Sequence, residues 1–168
     1  MAILKILNYP HPKLRQVCEP VGAFDLSLKD VVHDLVETMY ASPGAVGLSA
    51  PQIGYSVRVF AVDVTAKTTR SELKVLINPV ITLESRNKLV REGCLSFPEY
   101  LANVKRAQRV IIDGFNPEGT AVSYEVHKLE AVAMQHELDH LDGVLMIDKI
   151  QSITSDWIRR EIQENVAD

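Results

Sequence analysis

Cysteine is scarce in this sequence. Only two occur among 168 residues, Cys18 and Cys94, so no disulfide framework can be built, and such usage points to a reducing compartment. A cytoplasmic location is therefore expected, with a buried thiol at Cys18 and a ligand or nucleophile at Cys94. Basic excess is lacking as well. Lys and Arg number 18 against 22 Asp and Glu, a formal net charge of −4, which argues against specific nucleic-acid or anionic-membrane binding, since both need clustered cations. No apolar run approaches membrane-spanning length. The brief apolar stretch over 3–7 is interrupted by Lys5 and is too short and wrongly flanked for a secretory signal. Repeats, low-complexity tracts and Gly/Ser linkers are all missing, so one domain over 1–168 is the simplest division.

What is present is an ordinary globular composition, 46% hydrophobic and 24% charged. The length suffices to bury a core without a disulfide or structural metal. Val31, Val32, Leu35, Val36 and Met39 recur at helical spacing, predicting an amphipathic helix over 27–40 with Asp25 or Ser27 as its N-cap. β-branched residues predict strands over 57–64 and 73–77, the latter ending at Asn78-Pro79, with further strands at 80–83, 89–91, 104–115 and 122–126. Helical spacing returns over 129–141, with Gly143 as a stop. A last helix is expected over 155–166, with Trp157, Ile158, Ile162 and Val166 inward. Helices at both ends with strands between them indicate an α+β domain, small and mostly antiparallel sheets packed around a central helix, rather than βαβ alternation.

That central helix carries the sharpest motif, His136-Glu137-Leu138-Asp139-His140. Residues four apart on a helix are neighbours, so two imidazoles can converge on one ion with a carboxylate beside it to move protons. A chance pentapeptide in a surface helix would sit among polar neighbours, whereas Met134, Leu138 and Leu141 embed this one in apolar sequence. A catalytic centre keeps three protein ligands and one open position. No His follows at the spacing of a metzincin's third ligand. Glu161 and Glu164 are available for a gluzincin-like site, and upstream Cys94 stands in Glu92-Gly93-Cys94-Leu95-Ser96, where Gly93 permits close backbone approach.

Three separated motifs resemble the peptide deformylase family, in the family's order: 45–52 (Ala-Val-Gly-Leu-Ser-Ala-Pro-Gln), 92–96 (Glu-Gly-Cys-Leu-Ser) and 135–140 (Gln-His-Glu-Leu-Asp-His). The opening Pro-His-Pro-Lys-Leu-Arg and Ile77-Asn78-Pro79 extend the similarity over nearly the whole chain. The resemblance implies a metal-dependent hydrolase that removes the formyl group from the N-terminal formylmethionine of nascent proteins. It makes Cys94, His136 and His140 the metal ligands and Glu137 the acid/base, with the Gln52 side-chain amide and the Leu95 backbone N–H as oxyanion donors. Gly47 would lend its backbone to the peptide, and Val46, Leu129, Val132 and Ala133 would form the methionine pocket; taken singly, each of these four reads more readily as ordinary core. One divalent ion is implied, Fe²⁺ in the cell, with Zn²⁺, Ni²⁺ or Co²⁺ also suited to such donors. The partners implied are N-formylmethionyl peptides, met at the ribosome without a basic C-terminal docking tail, since 161–168 is acidic.

The chain departs from the family pattern at Ala45, which replaces a Gly and is expected either to narrow the substrate groove or to shift Gly44 into that role, at Ser49, whose hydroxyl needs a partner if buried, and at Leu101, where some members carry a peptide-binding Arg. Glu92 and Arg106 are expected either to brace the Cys loop as an ion pair or to remain solvated. His11, His33 and His127 have no motif behind them and read as structural or surface residues. Two other readings stand beside hydrolysis of the formyl group: a zinc endopeptidase, which should not need Cys94, and a catalytically silent binder, which should have altered Glu137 or Gln52.

Overall fold

A computed structural model describes residues 3–70 and 72–160. Helix α1 spans Leu26–Ala41, and its N-cap is Asp25, whose carboxylate accepts from the backbone N–H of Ser27 and Leu28. The apolar spacing of α1 places Leu28, Leu35 and Met39 inward, against β1 (Gly47–Ser49) and β2 (Val59–Val62). Strand β2 is buried along its whole length, which suits an unbroken run of apolar residues.

Two long strands follow, β3 (Lys74–Cys94) and β4 (Phe97–Phe115), then β5 (Ala121–His127). The sheet runs β1-β2-β3-β4-β5, with antiparallel pairing throughout. The separate strands expected over 73–77, 80–83 and 89–91 are thus segments of one strand, so the small sheets are joined into a single sheet. Register shifts at Ile77/Val80 and Ile81/Leu83 bend β3 on the way. At the first of these, Asn78 adopts φ +52, a conformation that Asn tolerates better than most residues. Its side chain holds the bend by accepting from Val21 N–H at 2.8 Å and donating to Val21 C=O at 2.9 Å.

Helix α2 (Lys128–Leu141) follows β5 directly and lies against β1, β2, β4 and β5. Gln135 clamps it to the sheet: its Oε1 accepts from Ala107 N–H at 3.0 Å, and its Nε2 donates to Ala107 C=O and Ala131 C=O, both at 2.8 Å. Gly143 ends this region at φ +69, where a β-carbon would come within 2.6 Å of the Arg15 carbonyl oxygen. Both a positive φ and a close approach therefore demand glycine there.

The C-terminal expectation is corrected. Instead of a helix from residue 155 onward, short helices α3 (Met146–Lys149) and α4 (Ile153–Asp156) lead into strand β6 (Trp157–Arg159), which pairs antiparallel with β4 at Tyr100–Ala102. Asp156, the last residue of α4, folds its buried carboxylate back over the turn to accept from Gln151 and Ser152 N–H. Trp157 then stacks on Tyr100 at 4.8 Å and meets Phe97 edge-on at 5.3 Å. Aromatic stacking and an open ladder edge outweigh the helical spacing. Ile162, Val166 and the alternative ligands Glu161 and Glu164 lie outside the described residues. Among the described residues no helix is long and apolar enough to cross a membrane.

Candidate metal centre

The β3–β4 hairpin and α2 meet at one point. Cys94 is the last residue of β3, paired with Phe97 across the turn formed by Leu95 and Ser96. His136 and His140 project from one face of α2, their ring centroids 5.0 Å apart. Cys94 Sγ lies 3.2 Å from His140 Nε2, and one donor atom from each of the three residues falls within 4.8 Å of the others. All three side chains are buried.

The imidazoles are oriented from behind. Nδ1 of His136 faces Glu92 Oε1 at 3.2 Å, which leaves its Nε2 for the cluster. Glu92 precedes Cys94 by two residues on β3, so both point to the same face. Arg106 grips Glu92 with Nε to Oε2 at 3.0 Å and Nη2 to Oε1 at 2.8 Å, and its Nη1 reaches Asp139. The expected Glu92–Arg106 pair is therefore buried and bracing, not solvated. Burial alone would raise the Glu92 carboxyl; hydrogen bonding to His136 and to Arg106 outweighs it and holds the group at about 2.

Glu137 is handled in the opposite way. Burial pushes its carboxyl up to about 7, against the attraction of His136, and its Oε2 has no hydrogen-bond partner among the described residues. Gly47 on β1 is what admits it: a β-carbon at Gly47 would lie 2.6 Å from Glu137 Oε1. Burial together with the nearby His136 lowers His140 well below its usual value, keeping a lone pair on its ring.

Gln52 completes the arrangement from a 3-10 turn at Ala50–Ile53. Ser49 donates to Gln52 Oε1 through both N–H (3.0 Å) and hydroxyl (2.8 Å). With the carbonyl end committed, the Gln52 NH₂ turns toward Ser96 Oγ at 3.2 Å and Cys94 Sγ at 3.6 Å. The hydroxyl that Ser49 adds thus finds its partner in Gln52.

These side chains open on a cavity of about 590 Å³, whose lining includes Gln52, Cys94, Leu95, His136 and Glu137. Gly47, Val46, Leu129, Val132 and Ala133 line the same cavity. Val46 and Ala133 also pack into the core, while Leu129 is exposed. Every sequence-derived site residue is brought to this one place, except that His140 stands behind Cys94 rather than in the lining. Sequence reasoning missed Asp139 as a second anchor for Arg106 and Ser49 as the orienter of Gln52; in neither case does spacing along the chain reveal the partner.

The donor set fits a divalent transition metal. A thiolate and two imidazoles are typical borderline-soft ligands; among the described residues no fourth His, Cys, Asp or Glu joins the group, and the unpartnered Glu137 oxygen stands beside it. The Nδ1 of His140 is likewise buried without a partner. Neither of the two cysteines is in a disulfide.

Residues 3–156 match the family model of polypeptide deformylases. The chain is 39% identical to the peptide deformylase of Thermodesulfovibrio yellowstonii over 163 residues, covering 97% of this chain and 98% of that one. It is 42% identical to that of Syntrophobacter fumaroxidans over 161 residues, covering 96% and 94%. The fold superposes on the crystal structure of a peptide deformylase from Legionella pneumophila with a TM-score of 0.85, at 37% identity and covering 90% and 88% of the two chains. For the Thermotoga maritima peptide deformylase the TM-score is 0.83, at 37% identity and covering 90% and 100%.

Proposed function

The chain belongs to the polypeptide deformylase family, and on that footing we propose how its residues divide the work of removing the N-formyl group from an N-terminal formylmethionine, the reaction of this family of metal-dependent hydrolases. Cys94, His136 and His140 hold one divalent ion, Glu137 moves the protons, and residues 1–168 act as a single catalytic domain. The observation that carries this reading is the convergence of one sulfur and two imidazoles beside a buried, unpartnered carboxylate oxygen. Bound there, the ion would supply positive charge that acidifies water and draws electrons from the formyl carbonyl.

The remaining steps belong to the chain itself. Glu137 accepts a proton from water as its oxygen attacks the formyl carbon, and a carboxyl near neutrality suits a group that must both take and return a proton. The oxygen that gains charge receives hydrogen bonds from Gln52 Nε2, already aimed by Ser49, and from the Leu95 backbone N–H; preorganised donors are strongest where water is excluded. The C–N bond breaks, Glu137 delivers its proton to the departing nitrogen, and formate and a free amine leave. Gly47 lends its backbone to the peptide, while Val46, Leu129, Val132 and Ala133 accept the methionine side chain. A formyl carbon bears only hydrogen on one side, so a narrow site admits it and rejects internal amides.

Fe²⁺ is the ion proposed for the cell, with Zn²⁺, Ni²⁺ or Co²⁺ accepted by the same donors. The compartment proposed is the cytoplasm, and the partners proposed are the N-formylmethionyl ends of nascent chains. Metal-replete protein should release formate from a formyl-Met-Ala peptide, and Glu137→Gln should lower the rate by about 10²–10⁴-fold. Absence of formate from the replete wild type would end the assignment. Retention of activity in Cys94→Ala would favour the endopeptidase reading instead.

A further inference from the structure

The cavity above the metal centre has a cationic outer part. Lys67, Arg91 and Arg160 line it, and among the described residues the acids in the lining are Glu92 and Glu137. Glu92 is already gripped by Arg106, and Glu137 is buried beside the metal ligands, so neither balances the three cations. Elsewhere some cations are paired, Arg15 with Asp148, Arg58 with Asp142, Lys74 with Glu130 and Arg109 with Glu125, and others are dispersed over the surface; at the cavity three gather at one opening. Arg159 pairs with Glu99, yet the adjacent Arg160 has no carboxylate partner among the described residues. The same holds for Lys67 and for Arg91, whose Nε donates to the Asn103 amide oxygen at 3.4 Å. In a protein of net charge −4, three cations at one opening, without a carboxylate partner among the described residues, form a local field opposite to that of the whole.

Arg160 is held in place by the fold. It follows β6 directly, its N–H donating to Glu99 C=O at 2.8 Å and its Nε to Tyr100 C=O at 3.4 Å. Its guanidinium lies across Gly93, where a β-carbon would collide with Nη2 and stand 3.2 Å from Leu101 Cδ2. The missing side chain at Gly93 thus seats a cation one residue from Cys94.

We propose that Arg160, supported by Lys67 and Arg91, is a specificity-determining residue that receives an acidic side chain of the substrate peptide downstream of the formylated methionine. This rests on the assignment of the active centre above. A formylated amine carries no charge, so electrostatic selection falls on the residues that follow it. The ligand chemistry is a carboxylate; a side chain is distinguished from the terminus of a short peptide by amidating the latter.

The test uses C-terminally amidated formyl-Met-Ala-Xaa-Ser peptides, with Xaa as Glu, Gln or Lys, and reads formate release by the metal-replete enzyme at low salt. Exposed ion pairs are worth about 0.2–1 kcal/mol, so KM for the Glu peptide should lie about two- to fivefold below that for Lys, the difference falling in KM rather than kcat. Arg160→Gln should bring the two KM values together, and Arg160→Glu should reverse their order. Lys67→Gln, on a different element, should narrow the same ratio, so the result does not hang on one variant's folding. Equal KM values in the wild type, or an unchanged ratio in Arg160→Gln, would overturn the proposal while leaving the active centre standing. Failure of every peptide to release formate would overturn the centre and this proposal with it.

Discussion

Arg106 holds both carboxylate oxygens of Glu92, with Nε to Oε2 at 3.0 Å and Nη2 to Oε1 at 2.8 Å, while only 2% of the arginine side chain is exposed. A pair so deeply buried gives little net stability, but removing the arginine leaves the buried Glu92 charge with only His136 beside it. Arg106→Met should therefore cost about 3–5 kcal/mol in urea unfolding. Because Glu92 orients His136, metal affinity measured by chelator competition should also fall about 10–100-fold. Replacing both members, Glu92→Leu with Arg106→Met, should restore much of the stability without restoring the affinity. Loss of stability with unchanged affinity in the single variant would deny Glu92 its orienting part.

Gly47→Ala places a β-carbon 2.6 Å from Glu137 Oε1 and 3.1 Å from its Cγ. The carboxylate must move, and misplacing a reacting group by an ångström costs about 10²-fold in rate. Formate release should drop by that order while metal content, measured by atomic emission, stays stoichiometric. An unimpaired rate would mean that the carboxylate position tolerates displacement.

The two thiols should part company when the metal is stripped. Burial pushes the Cys18 thiol up to about 11, so at pH 8 only about one molecule in a thousand is thiolate. Cys94 lines the cavity and, as a proposed ligand, would be shielded by the ion in the loaded protein. Iodoacetamide with a chelator should label Cys94 first, and Cys18 only on unfolding, as read by peptide mass spectrometry. Equal labelling of both in the metal-loaded protein would contradict the ligand assignment.

Acid stability should depend on Asp63. It is fully buried, which favours the neutral acid, but it accepts from Thr65 N–H at 2.8 Å, Thr65 hydroxyl at 2.6 Å and Tyr40 hydroxyl at 2.6 Å. Those donors overcome burial and lower its pKa. The unfolded chain, with an ordinary value of about 3.9, then binds a proton before the native state does. The stabilisation is present above that value and is lost as pH falls through the lower native one. Asp63→Asn should lower stability at pH 7 by about 1–3 kcal/mol and flatten its fall between pH 5 and pH 3 in urea titrations. A parallel fall in wild type and variant would assign the acid response elsewhere.

Much of the site was legible in the sequence because its parts are local. His136 and His140 share a face by helical period alone, and Cys94 is marked by type and by its neighbouring Gly93. Asp25 as a cap and Gly143 as a stop are likewise questions about a few consecutive residues. What was not legible depends on the meeting of distant segments. Ser49 acts through the amide of Gln52 only because the 3-10 turn folds one over the other. Asp139 reaches Arg106 only once α2 lies on β4. Trp157 and Ile158 have helical spacing, yet the open edge at Tyr100–Ala102 and the rings of Phe97 and Tyr100 decide their conformation, and no local pattern announces an edge awaiting a strand.

The distance in sequence between Cys94 and His140 is 46 residues, so the sulfur is translated well ahead of the last imidazole. At about 5–20 residues per second, a growing copy holds its thiol for roughly 2–9 seconds before the nitrogen that must join it exists. Until then the proposed set of three ligands is incomplete, and the centre cannot close around an ion.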